Sequence, residues 1–229
     1  MKDPEFIDTL IFDLDGTLVD TLPDLADSVN KALAYYGFPT WEENKYRSFL
    51  GNGSDVLISK ALGKANDTKE NHIKVFNYYI DYYFSHVSVK SRPFDGMKET
   101  LVYLKSSGYQ LFCLTNKPDE AANRLVNDLF GNIFTYVLGN SSSVPTKPDP
   151  YGMNFLVEKF SLNRKRIAYF GDSDVDIVLA ANARISHSVA CLYGYRDREE
   201  LISSRPFATI ERPRDILSLS FIVNGLLSR

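Results

Sequence analysis

Short apolar segments recur along this 229-residue chain, and each of them runs into a polar or glycine-containing turn. The predicted strands cover residues 7–12, 109–114, 133–138, 167–170 and 188–192. Patterns typical of helices separate most of these strands. Near-continuous hydrophobic strands that alternate with helices are typical of a parallel sheet covered on both faces. The sequence therefore predicts an α/β protein with a Rossmann-like, three-layer core, which binds its ligands at the carboxyl ends of the strands.

The interval between the first two predicted strands is much longer than the others. It contains no convincing strand, and its patterns predict helices that begin near Leu22, Ser54 and Thr68. The third of these helices carries an apolar stripe that we interpret as core packing: Ile73, Phe76, Tyr79, Ile80, Tyr83 and Phe84. Long connections inside a compact domain are usually functional, for example as lids. We therefore predict a core domain of residues 1–19 and 91–229, and an inserted helical domain of residues 20–90.

The composition is that of an ordinary globular protein, with 44% hydrophobic and 24% charged residues. The net charge of −3 and the scattered lysines and arginines predict no nucleic-acid surface. No segment approaches the roughly 20 apolar residues that cross a bilayer. Residues 1–5 lack a basic region followed by a long apolar core, so we expect no signal peptide. Cys113 and Cys191 are isolated, which favours a reducing compartment. We therefore expect a cytoplasmic protein that has no membrane partner.

A pair of carboxylates follows the first predicted strand, in the segment Ile11-Phe12-Asp13-Leu14-Asp15-Gly16-Thr17. Two acids at this spacing repel each other, so they are stable together only beside a cation or with one of them protonated. This requirement makes the segment a candidate site for metal-assisted phosphoryl chemistry. An ordinary strand that runs into an Asx-Gly turn would explain the same residues.

Three other predicted strand ends also carry polar groups, at Thr115-Asn116, at Lys147-Pro148 and at Gly171-Asp172-Ser173-Asp174-Val175-Asp176. Each has a simpler explanation, as a helix cap, a solvated surface charge or acids that favour a helix dipole. If the segments are parallel strands, however, all of these groups lie at one edge of the sheet together with the first acidic pair. We therefore interpret them as one site.

These four motifs, in this order, resemble those of the haloacid dehalogenase superfamily over most of the chain. The helical insertion after the first motif is similar to the C1-type cap of that superfamily. Three segments resemble phosphoglycolate phosphatases in particular: Arg47-Ser48-Phe49-Leu50-Gly51-Asn52-Gly53-Ser54-Asp55-Val56-Leu57, Thr115-Asn116-Lys117-Pro118 and Tyr193-Gly194-Tyr195.

The resemblance implies a mechanism in which Asp13 attacks phosphorus and forms an aspartyl-phosphate. Asp15 would protonate the leaving alkoxide and then deprotonate the attacking water. Mg²⁺ would bind Asp13, the backbone carbonyl of Asp15, Asp172 and a phosphate oxygen.

The remaining residues of the motifs would support this chemistry. Thr115 and the amide of Asn116 would hold phosphoryl oxygens, and Lys147 would add a positive charge. Asp176 would orient the lysine or a water on the metal. Thr17 would likewise contact the metal ligands without binding the metal itself.

Specificity would come from the inserted helices. Gly51, Asn52 and Gly53 precede a helix, so their backbone amides could bind a small carboxylate with help from Arg47. A glycine-rich turn between two helices is an equally good explanation. Many members of the family carry acidic residues just after the third strand, where this chain has Ser141-Ser142-Ser143.

The expected function is an Mg²⁺-dependent phosphatase that acts on a small phosphorylated metabolite, with 2-phosphoglycolate as the leading candidate. A sugar-phosphate mutase is the first alternative, because mutases of this family share both acids of the first motif. A protein that binds a phosphorylated metabolite without catalysis is the second. We expect either a monomer or a homodimer.

Overall fold

The computed structural model describes residues 6–227, except for the side chain of Leu227; the start of the chain, on which the signal-peptide prediction was based, lies outside them. The strands are β1 (Thr9–Phe12), β2 (Val19–Asp20), β3 (Arg92–Pro93), β4 (Gln110–Pro118), β5 (Tyr136–Asn140), β6 (Ile167–Gly171), β7 (His187–Cys191) and β8 (Ala208–Ile210). The helices are α1 (Leu22–Tyr35), α2 (Ser54–Asn66), α3 (Lys69–His86), α4 (Met97–Ser106), α5 (Asp119–Phe130), α6 (Tyr151–Lys159), α7 (Asp174–Asn182), α8 (Arg198–Ser203) and α9 (Ser220–Leu227). In this part of the chain, no helix is long and apolar enough to cross a membrane.

A six-stranded parallel sheet forms the centre of the protein, in the order β5-β4-β1-β6-β7-β8. β1 lies between β4 and β6, with Phe12 opposite Cys113 on one side and Phe170 on the other. Because the strands are parallel, the residues that follow β1, β4, β5 and β6 all leave the sheet at its carboxyl edge.

Successive residues of each strand pack on opposite faces of the sheet, as the two-residue repeat of a strand requires. Leu10 and Phe12 pack on the face that α4 and α5 cover, in a core cluster that continues into the inserted helices α1, α2 and α3. Ile11 packs on the opposite face, which α6 and α7 cover. The predicted three-layer α/β architecture is therefore confirmed.

Two neighbouring antiparallel segments connect the inserted helices to the rest of the protein, one before them and one after them. β2 pairs with β3 in a short antiparallel ribbon. The buried carboxylate of Asp24 accepts hydrogen bonds from the backbone N–H groups of Lys90 and Ser91, at 2.9 and 2.8 Å, and from the Ser91 hydroxyl. The ribbon and Asp24 together hold the start of the insertion against its end.

Some local predictions differ from the structure. In α3, the predicted Tyr79 and Tyr83 are buried together with Val75, and Phe76, Ile80 and Phe84 pack partly buried against the same core, whereas Ile73 is 50% exposed. The apolar pattern of residues 216–227 is typical of one helix, but in the structure a 3₁₀ helix (Pro213–Ser218) ends before α9 begins. β8 and the β2–β3 ribbon were not predicted, since strands of two or three residues leave almost no periodic signal.

Candidate active site

Asp13 and Asp172 lie next to each other at the carboxyl edge because β1 and β6 are neighbours in the sheet. The backbone N–H of Asp13 donates to the carbonyl of Phe170 at 2.8 Å, so the strand pairing fixes the position of this aspartate. Both residues are buried, with 7% of Asp13 and 3% of Asp172 exposed. Two carboxyl groups that are far apart in sequence therefore share one small volume.

Asp176 completes an acidic cluster with these two residues. One carboxylate oxygen from each of Asp13, Asp172 and Asp176 lies within 4.8 Å of the others. Burial, followed by the repulsion from Asp13 and Asp176, raises the pKa of Asp172 to about 8. Burial likewise raises the pKa of Asp13 to about 6, although the charge of Lys147 opposes this rise. Such a cluster of hard oxygen ligands could hold a divalent metal ion.

Lys147 is buried against the acids and does not project into solvent. Its Nζ lies 2.8 Å from Asp13 Oδ1 and 2.7 Å from Asp176 Oδ1, and it donates to the Tyr169 hydroxyl at 3.2 Å. Burial alone would lower the pKa of Lys147, but the two carboxylates raise it above its ordinary value. The alternative of a solvated surface charge is therefore excluded for this lysine.

Asp176 lies in the first turn of α7, and protein donors occupy both of its carboxylate oxygens. Oδ2 accepts from the backbone N–H and the hydroxyl of Ser173, at 3.1 and 2.6 Å. Oδ1 accepts from the Tyr169 hydroxyl at 2.9 Å and from Lys147. Because these contacts use most of the lone pairs of Asp176, Asp13 and Asp172 are better placed to bind a cation. Oδ1 of Asp13 is buried and forms the ion pair with Lys147 at 2.8 Å.

Asp172 is held by groups from two turns. Its Oδ2 accepts the backbone N–H of Tyr195 at 2.7 Å, and its Oδ1 accepts the hydroxyl of Thr17 at 3.3 Å. Gly16 has a φ of +83°, and a Cβ at this position would overlap the Asp172 carboxylate. The glycine of the first motif is therefore needed for the turn and also for the approach of Asp172.

The carboxylate of Asp15 faces the inserted helices. Its Oδ1 accepts from Lys117 Nζ at 2.8 Å and from the Thr21 hydroxyl at 2.7 Å. The Lys117 side chain is only 2% exposed, and its Nζ lies 4.7 Å above the centre of the Tyr83 ring. The ion pair between Lys117 and Asp15 was not predicted, although β4, which carries Lys117, is the neighbour of β1 in the sheet.

Thr115 and Asn116 lie in the last part of β4, beside Asp13. Asn116 Oδ1 accepts the backbone N–H of Lys147 at 2.6 Å, and its Nδ2 donates to the carbonyls of Lys147 and Gly51, at 3.2 and 3.1 Å. Asn116 therefore joins the backbone that carries the buried lysine to the segment before α2. The hydroxyl of Thr115 accepts the backbone N–H of Lys117 at 3.3 Å.

Several of these groups line a cavity of about 50 Å³ between the sheet edge and the inserted helices. Its polar wall includes Asp13, Asp15, Thr115, Asn116 and Asp172, and its apolar wall includes Leu25, Leu50, Leu57 and Tyr79. Gly51, Gly53 and Ser54 also line the cavity.

The arginine in the wall of this cavity is Arg196, which the sequence analysis did not single out. The predicted Arg47 is exposed, and its guanidinium lies 5.9 Å from the centre of the Tyr195 ring. Asn52 is exposed as well. Arg196 follows the Tyr193-Gly194-Tyr195 segment directly, and this proximity was the one available signal.

Comparisons with known proteins identify relatives of this chain. A phosphoglycolate phosphatase from Mannheimia succiniciproducens is 36% identical over 215 residues, which cover 91% of this chain and 96% of that protein. Another, from Haemophilus influenzae, is 37% identical over 206 residues, which cover 85% and 90%. A crystal structure described as a predicted phosphoglycolate phosphatase from Haemophilus somnus superposes with a TM-score of 0.86 and 34% identity. The match covers 93% of this chain and 98% of that one.

The family model of the haloacid dehalogenase-like hydrolases matches residues 10–190. This range contains the acidic pair after β1, the end of β4, the buried lysine and the acids after β6. The chain therefore belongs to the haloacid dehalogenase-like hydrolase family.

Proposed function

We propose that this protein is a cytoplasmic, Mg²⁺-dependent phosphatase that hydrolyses a small phosphomonoester, with 2-phosphoglycolate as its leading substrate. The observation that carries the proposal is the position of Asp13, a buried carboxylate held between Lys147 and Asp172 at the wall of a small cavity. The cavity is small, at about 50 Å³, which favours a small ester over a bulky one. The names of the relatives from Mannheimia succiniciproducens and Haemophilus influenzae support the choice of substrate.

In this proposal the reaction begins with attack by a carboxylate oxygen of Asp13 on phosphorus. The bond from Asp13 to phosphorus forms, the bond to the leaving oxygen breaks, and Asp15 donates a proton to that oxygen. Water then attacks the aspartyl-phosphate while Asp15 accepts its proton, and this step releases phosphate and restores Asp13. Lys147 and the hydroxyl of Thr115 would bind phosphoryl oxygens and neutralise their charge.

The residues present fit a magnesium ion, since Asp13, Asp172 and the backbone carbonyl of Asp15 would supply hard oxygen ligands. When it is bound, the ion neutralises charge between the anionic nucleophile and the anionic ester. Thr17 and Asp176 would keep Asp172 and Lys147 in position through the hydrogen bonds described above. Residues 20–90 would act as a cap whose segment Gly51-Asn52-Gly53 closes the cavity.

A panel of phosphorylated metabolites, assayed for phosphate release with Mg²⁺ and with EDTA, tests this function. We expect Mg²⁺-dependent release, the highest kcat/KM for 2-phosphoglycolate, and no release by the Asp13→Asn variant. Isomerisation of a sugar phosphate that depends on a bisphosphate activator would instead indicate a mutase. Tight binding of an ester without turnover would indicate the non-catalytic alternative. Equal activity on all esters would contradict the choice of 2-phosphoglycolate.

A further inference from the structure

Arg196 connects the sheet to the inserted helices, and no step of the proposed reaction uses it. It lies in the loop between β7 and α8, directly after Tyr195, whose N–H holds Asp172. Its side chain is 12% exposed, although the residue carries a full positive charge. A charged group that is buried to this extent needs partners close by.

The partners of Arg196 are two backbone carbonyls in the segment that we name the Gly51 loop (residues 47–53). Nη1 donates to the carbonyl of Arg47 at 3.0 Å, and Nη2 donates to the carbonyl of Leu50 at 2.7 Å. A planar guanidinium can make both bonds at once because its donors are arranged in a rigid fork.

The Gly51 loop forms one wall of the cavity, and a third hydrogen bond from the sheet reaches it. The carbonyl of Gly51 accepts from Asn116 Nδ2 at 3.1 Å. Gly51 has a φ of +103°, and a Cβ at this position would lie 3.0 Å from Arg196 Nη2. Three carbonyls of the loop therefore face donors from the sheet, and the backbone is shaped to admit the guanidinium.

We propose that Arg196 is a positioning residue that latches the Gly51 loop closed over the cavity. When the loop is open, water can donate hydrogen bonds to its carbonyls. When the loop is closed and Arg196 is absent, the same carbonyls have lost their donors, so the closed form becomes less stable relative to the open form. Loss of Arg196 therefore lowers the closed fraction of the protein. The apparent affinity for a ligand that needs the closed form falls by the same factor.

A different role for Arg196 would be to attract an anionic substrate by its charge alone. The carboxylate of Glu200, 3.6 Å from Nε, offsets part of that charge. Lysine at this position distinguishes the two roles, because it keeps the charge but cannot bridge two carbonyls with a planar fork. The latch hypothesis therefore expects Arg196→Lys to behave like Arg196→Met.

The decisive experiment measures amide hydrogen exchange of the Gly51 loop in the wild type, Arg196→Met and Arg196→Lys. Arg198→Met is the matched control, since Arg198 is exposed and pairs with Glu211 on the surface. We expect exchange in the loop to be about tenfold faster in both Arg196 variants, as for an open-to-closed ratio raised by that factor. The control should exchange like the wild type. Unchanged exchange in Arg196→Met, or wild-type exchange in Arg196→Lys, would overturn the latch.

A kinetic measurement on the same variants rests on the proposed phosphatase activity. We expect KM for 2-phosphoglycolate to rise in both Arg196 variants by the factor by which the closed fraction falls, with a smaller change in kcat. A fall in kcat without a rise in KM would contradict the latch. If the wild type hydrolyses no ester, the proposed function fails, but the exchange experiment still decides the role of Arg196. Circular dichroism checks that each variant is folded.

Discussion

The carboxyl group of Asp172 should make the stability of the metal-free protein depend on pH. Its pKa is about 8 in the folded protein, mainly because the group is buried, and about 3.9 in an unfolded chain. Between pH 5 and pH 7 the folded protein therefore keeps a proton that the unfolded chain has released. A pKa raised in the folded state favours folding most at low pH, and this stability is lost as the pH rises through the folded pKa. The free energy of unfolding should therefore fall with increasing pH.

The size of the effect follows from the single proton that Asp172 retains. One proton that is bound in the folded state only changes the free energy of unfolding by about 1.4 kcal/mol per pH unit. From pH 5 to pH 7 the loss is about 3 kcal/mol. Asp13, with a pKa of about 6, adds to the slope. The informative comparison is therefore the pH dependence of the free energy of unfolding in the wild type and in Asp172→Asn, which lacks the titrating carboxyl.

Urea unfolding in EDTA, followed by circular dichroism at pH 5, 6 and 7, measures this difference. We expect the free energy of unfolding to fall less steeply with pH in Asp172→Asn than in the wild type, with a difference in slope of about 1.4 kcal/mol per pH unit. Excess Mg²⁺ should stabilise the wild type more at pH 7 than at pH 5, because the cation competes with the proton for the carboxylates. Parallel pH dependences for the two proteins in EDTA would refute the conclusion that Asp172 stays protonated in this range.

Three further substitutions test individual residues of the site. Asp13→Asn should abolish phosphate release and any acid-stable phosphoenzyme, and labelling with a ³²P ester would reveal a surviving nucleophile. Asp15→Asn should leave the binding of inorganic phosphate nearly unchanged, measured by calorimetry, while turnover falls by about 10² to 10⁴-fold; an equal loss of both would contradict an acid/base role. Tyr169→Phe removes the hydroxyl that contacts Lys147 and Asp176. It should lower the free energy of unfolding by about 1 to 3 kcal/mol in urea, and an unchanged midpoint would contradict this reasoning.

Sequence reasoning could predict the part of the site that the sheet itself arranges. Asp13 and Asp172 end neighbouring parallel strands, so once the strands are identified their proximity follows from topology. Lys147 lies in the loop after β5 at the same edge, and its position required only the same argument.

The contacts made by the inserted helices could not be predicted in this way. The contact between the Lys117 ammonium and the Tyr83 ring depends on the side of α3 that faces the sheet. Ile73 of α3 was predicted to be buried but is exposed. Apolar residues occur nearly all around this helix, so the pattern alone cannot select the buried face. Arg196 binds backbone carbonyls, which every residue possesses, so its partners leave no signature in the sequence.

The β2–β3 ribbon and Asp24 have a consequence for how such a protein can change during evolution. Because they hold residues 19–24 beside residues 90–93, the chain leaves the sheet and returns to it at nearly the same point. The sheet therefore does not limit the length of the segment between β2 and β3, since lengthening a loop whose ends are already joined costs little closure entropy. A different helical segment could replace this one and bring new side chains to the same nucleophile, which leaves the chemistry in place while the choice of ester changes.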